Sequence, residues 1–168
     1  MPRFQSLRII GKFAISLIAV VVVQGILAAK FKVFRYFDLP LICTVYYGFT
    51  LGNPIASIAM GTSLGLMQDS LSAAALGTNG FSKTLIGYLA ASAGTKFAVD
   101  QPVTRILALF LFTLADRVLV TMLAQMVGPF SNAAYGRALG GWLLSATCNT
   151  LLGLVLLGYR DRLGNATT

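Results

Sequence analysis

The chain has 168 residues, 57% of them hydrophobic and 11% charged, with a mean hydropathy of +0.79. A soluble domain carries about 25% charged residues, so a water-soluble globule is excluded: the charge is too sparse to coat one, and the apolar residues come in long blocks. The net charge of +8 does not point to nucleic acid either. The cations lie at the ends of apolar blocks, where they anchor membrane spans, and no basic groove interleaved with aromatic residues lies outside those blocks.

The first apolar segment is Phe13 to Ala29, followed by Lys30 and Lys32. About 17 residues is the lower limit for crossing a bilayer core. A cleaved signal peptide is the rival reading, and the further spans and flanking lysines disfavour it. Residues 38–51 and 54–68 form two short segments separated by the turn Gly52-Asn53-Pro54, with proline at a first helical position. Two short helices in a hairpin are expected. The small-residue stretch after Asp69, through Gly80, reads as a loop. Segments at 81–95, 104–127 and 137–158 follow; Asp100-Gln101-Pro102 precedes the fifth, and Gly128-Pro129 ends it. The expected fold is all-α: a single integral membrane domain over residues 1–168, a polytopic bundle of about six helices.

With six crossings and a cytoplasmic N-terminus, Arg3, Arg8, Lys12, Lys96, Arg105, Arg160 and Arg162 lie inside. Lys30, Lys32, Arg35 and Arg137 lie outside. The cation excess inside places both termini in the cytoplasm, the cationic first loop being the exception.

Polar and small residues recur every four positions within the segments. Ser57, Gly61, Gly65 and Asp69 share one helical face, where small residues let another backbone approach. Asp69 ends its helix, where a carboxylate opposes the helix dipole and needs a partner. Lys83, across the short loop, is the expected one. The fourth segment continues with Lys83, Gly87 and Ala91 on one face. The fifth carries Thr113, Arg117, Thr121 and Gln125, beside Asp116; the sixth carries Gly141, Ser145, Asn149 and Gly153. The last two stripes are expected to pack on each other, with Asn149 hydrogen-bonded across that interface.

Nothing resembles a catalytic site. The chain has no histidine and no glutamate, so the commonest general base and metal ligand are missing, and a proton relay is poorly equipped. Cys43 and Cys148 are isolated in apolar segments and read as packing residues. No cofactor or metal is expected, and helix packing is favoured over transport as the purpose of the polar stripes.

Asp38 to Tyr88 resembles the bacterial rod shape-determining protein MreD family. The pattern is DLPLICTVYYGFTLGNP, then GTSLGLMQD with Gly61, Gly65 and Asp69, then ALGTNGFSK and LIGYLA with Gly77, Lys83, Gly87 and Tyr88. The resemblance implies a non-enzymatic subunit of the cell-elongation complex in the bacterial inner membrane. Its implied partners are MreC and, indirectly, the MreB filament, RodA and a class B penicillin-binding protein, with a role in cell shape and peptidoglycan synthesis. It also implies a fold like the substrate-binding subunits of energy-coupling-factor vitamin transporters, and a purely structural role for the matching residues.

A transporter subunit of that kind is the alternative function. The isolated Trp142, and the single small-residue pair Gly25 and Ala29 in the first segment, lean against it. An intramembrane enzyme would need a nucleophile with a base, or paired carboxylates; Asp69 and Asp116 are the carboxylates best placed for this, and nothing in the sequence brings them together.

Overall fold

The computed structural model describes residues 18–72, 76–96, 101–127 and 133–165. Among these, the chain is entirely helical: α1 (Ile18–Lys30), α2 (Leu39–Leu51), α3 (Pro54–Leu71), α4 (Thr78–Lys96), α5 (Pro102–Val127) and α6 (Ala133–Asn165). A short 3-10 turn, Lys32–Tyr36, links α1 to α2. Arg3, Arg8, Lys12, the start of the first segment at Phe13, Asp100 and the Gly128-Pro129 stop lie outside the described residues.

Local chemistry sets the helix ends. The Asp38 side chain accepts from the Leu41 amide at 3.0 Å and caps α2, with Pro40 in the first turn, where its missing N–H costs nothing. Gly52 ends α2 at φ +56°, a left-handed conformation that favours glycine. The next residue, Asn53, caps α3 through the amides of Ile55 and Ala56, with Pro54 opening the helix. These signals produce a tight hairpin of two helices.

The helices run past the sequence-derived limits. α3 continues through Asp69 to Leu71, and α4 begins at Thr78, so Thr78–Gly80, expected in a loop, are helical. The cause is a carboxylate from the preceding helix, described below.

Packing is closest between α3 and α4. A Cβ at Gly61 would collide with the Lys83 carbonyl, one at Gly65 with the Asn79 carbonyl, and one at Gly87 would lie 2.6 Å from the Ser57 carbonyl oxygen. Bare glycine faces therefore set the α3–α4 separation, the close approach that small residues permit between membrane helices. Leu41 and Val45 of α2, Ile86 and Ala90 of α4 and Leu109 of α5 form one apolar core. Val21 of α1 with Met60 and Leu64 of α3 forms a second, against which Cys43 packs. Both cysteines are free thiols.

The outer surface is apolar. Val103–Met126 in α5 is long and apolar enough to cross a bilayer, and only 17% of its most apolar window is buried inside the protein. A helix of 26 residues spans about 39 Å, more than the roughly 30 Å hydrocarbon core. The core helix of a soluble protein would be buried; this one turns its apolar surface outward. Among the described residues it is the one helix that meets both criteria; Ile18–Lys30 and Leu139–Val155 are shorter apolar stretches.

Candidate functional site: a buried polar centre

Behind the apolar surface, the start of α2, α4 and α5 bring charged groups to one place, and α6 adds neutral polar ones. Lys83 Nζ lies 3.0 Å from Asp38 Oδ2 and 3.7 Å from Asp116 Oδ1, and none of the three side chains is exposed. Arg117, 22% exposed, places a guanidinium nitrogen 3.6 Å from the same Asp38 oxygen. Two cations thus face two carboxylates, and the local charge cancels. That balance is what makes the cluster tolerable, because an unpaired charge at such depth costs several kcal/mol or more.

Neutral groups complete the centre. Ser82 Oγ donates to Asp116 Oδ1 at 2.7 Å. The Asp38 amide donates to Asn149 Oδ1 at 2.8 Å, tying the start of α2 to the middle of α6. Arg117 Nε donates to Ser145 Oγ at 3.2 Å, and Ser145 Oγ donates to the Tyr36 carbonyl at 2.6 Å. Two buried atoms in the centre, Asp116 Oδ2 and Asn149 Nδ2, have no hydrogen-bond partner.

Asp69 does something else. It does not pair with Lys83, as the sequence led us to expect; it receives the free amides at the start of α4. Its carboxylate accepts from the amides of Gly77 at 2.9 Å, Asn79 at 3.1 Å and Gly80 at 3.0 Å, and from Asn79 Nδ2 at 2.7 Å. A negative charge at a helix N-terminus is favoured by the dipole and satisfies orphan donors. Gly77 supplies the required backbone turn at φ +96°. Asp69 thereby clamps the end of α3 to the beginning of α4.

Eight of the other residues singled out by spacing fall into two groups. Ser57, Gly61, Gly65 and Gly87 lie on the α3–α4 contact, away from the charges. Lys83, Arg117, Ser145 and Asn149 belong to the polar centre, but Asn149 bonds to the start of α2 where a bond to α5 was expected. Sequence reasoning missed Asp38, the hub of the centre, along with Ser82 and Gln24. The available signal was Asp38 directly before a Leu-Pro helix start, an N-cap signature that did not disclose a second role as counter-ion. Gln24 of α1 donates to the Phe37 carbonyl at 2.8 Å and accepts from the Leu39 amide at 2.6 Å, holding the entry to α2.

A helical bundle with an outward apolar surface, and inward charges spent on one another, defines a membrane protein built around a structural polar core. The family model for rod shape-determining protein MreD matches residues 7–160, nearly the whole chain. The chain belongs to the MreD family, and its role is in rod shape determination. That family is one of shape-determining structural membrane proteins, not of enzymes. No curated protein and no solved structure matches the chain, so the expected likeness to energy-coupling-factor subunits gains no support.

Proposed function

We propose that the chain is a multi-pass scaffold of the cell-elongation complex, holding MreC and, through it, linking the MreB filament to RodA and its class B penicillin-binding protein partner. The observation carrying this reading is the neutralised Asp38–Lys83–Asp116–Arg117 centre. Charges that compensate one another lock three helices, α2, α4 and α5, into a fixed platform, which suits holding partners rather than passing a solute. Family membership supports a part in the shape-determining system.

In this reading all six segments cross the bacterial inner membrane and both termini face the cytoplasm. Single cysteines at Lys30 and Lys96, in a background lacking Cys43 and Cys148, should label from opposite faces. Purification in mild detergent tests the scaffold directly. An MreC-like protein should co-purify; recovery of an ATP-hydrolysing transport module in its place would overturn the reading.

A further inference from the structure

A cleft of about 250 Å³ lies between α1, the 3-10 turn and the end of α3. Buried Val21 and half-buried Gly25 belong to its wall, with Leu71 of α3 packed 3.7 Å from a Cβ built at Gly25. Gln24, Arg35, Gln68 and Ser72 supply its polar lining, Gln24 being already paired with the backbone at the start of α2. The cleft is separate from the polar centre, and neither the family nor the scaffold role accounts for it.

Two observations point to a ligand there. Arg35 is exposed, follows Lys30 and Lys32 closely in sequence, and has no carboxylate partner among the described residues. The described carboxylates nearest in sequence are engaged elsewhere: Asp38 by Lys83, and Asp69 by the start of α4. Gln68 Oε1 is shielded and has no hydrogen-bond donor, and a turn of its carboxamide about the last side-chain torsion would present it to a donor in the cleft. The fitting molecule carries an anion for Arg35, a donor for Gln68 and an apolar body. The volume is below the roughly 300–1,000 Å³ of pockets that enclose a drug-sized molecule. It suits a headgroup whose apolar chains stay outside.

We propose that this cleft is a phospholipid site. The phosphodiester meets Arg35, a headgroup hydroxyl or ammonium donates to Gln68 Oε1, and the acyl chains leave past Leu71, which is 56% exposed. Such a lipid would fill the space between α1 and the end of α3.

The test is native mass spectrometry of the full chain after reconstitution with mixed phosphatidylglycerol and phosphatidylethanolamine and mild detergent stripping. The wild type should retain one phospholipid. Arg35→Ala should weaken retention by about tenfold, the scale of a lost charge-assisted hydrogen bond. Gln68→Leu should weaken it less, and Lys96→Ala, at the opposite end of α4, should leave it unchanged. Inorganic phosphate should fail to displace the lipid. A wild type that retains no lipid, equal retention by Arg35→Ala, or displacement by inorganic phosphate alone would overturn the proposal.

Discussion

The Lys83 ammonium sits 3.0 Å from the Asp38 carboxylate, with both side chains fully buried. Asp38 is also the cap of α2, so one carboxylate ends a helix and neutralises a lysine on another. This double duty explains why the α2 start is fixed so firmly against α4. Moving either helix would break a cap and an ion pair together.

Asp69 acts through hydrogen bonds to backbone amides, and this sets it apart from an ion-pair partner. Asp69→Ala would strand the Gly77, Asn79 and Gly80 amides. Loss of a cap costs about 0.5–2 kcal/mol, and buried donors left unpaired raise that to roughly 2–4 kcal/mol. Asp69→Asn keeps one accepting oxygen but turns an NH2 toward the two donors that the other oxygen serves, so it should lose at least half as much. Thermal melting followed by size-exclusion chromatography in detergent measures both; a neutral Asp69→Asn would contradict the two-oxygen clamp.

The α3–α4 contact depends on absent side chains. Gly61→Val would drive a branched side chain into the Lys83 carbonyl. Overpacking of this kind costs about 1–3 kcal/mol and here acts against backbone, which cannot rotate away. Gly140→Ala, whose Cβ would meet nothing within 4 Å, is the matched control. It should be neutral or slightly stabilising, because alanine favours helix over glycine by about 1 kcal/mol. Melting temperatures of the two variants check the contrast.

Gln24 is the hinge pin of α1. Gln24→Leu would release the Phe37 carbonyl and the Leu39 amide, which Gln24 now pairs with at 2.8 and 2.6 Å. Loosened attachment of α1 should appear as faster limited proteolysis between α1 and α2, with α2–α6 still resistant. The expected loss is about 1–3 kcal/mol.

The parts of the fold legible in the sequence were those with local causes. The Gly52-Asn53-Pro54 hairpin follows from a left-handed glycine, a capping asparagine and a first-turn proline, all adjacent in the chain. The four-residue spacing of Ser57, Gly61, Gly65 and Asp69 put them on one face of α3, because helical periodicity is a local property. Which carboxylate meets Lys83 is not local. Asp69 is fourteen positions away and Asp38 is 45; sequence separation favours the nearer one, whereas the dipole and free amides at the start of α4 claim it. Once Asp69 is drawn to those amides, Lys83 one turn further along faces α2 and α5, where Asp38 and Asp116 await it.

The most direct test of the buried centre is a rescue experiment on Lys83. Lys83→Met leaves the Asp38 and Asp116 carboxylates with less compensation, a loss of about 3–5 kcal/mol for a broken buried pair. Adding Asp116→Asn removes the surplus negative charge, leaving Arg117 to balance Asp38. The melting temperature of the double variant should therefore recover much of the loss, while Asp69→Asn added to Lys83→Met should recover nothing. Recovery with Asp69→Asn and none with Asp116→Asn would contradict a polar centre in which Lys83 binds α4 to α2 and α5.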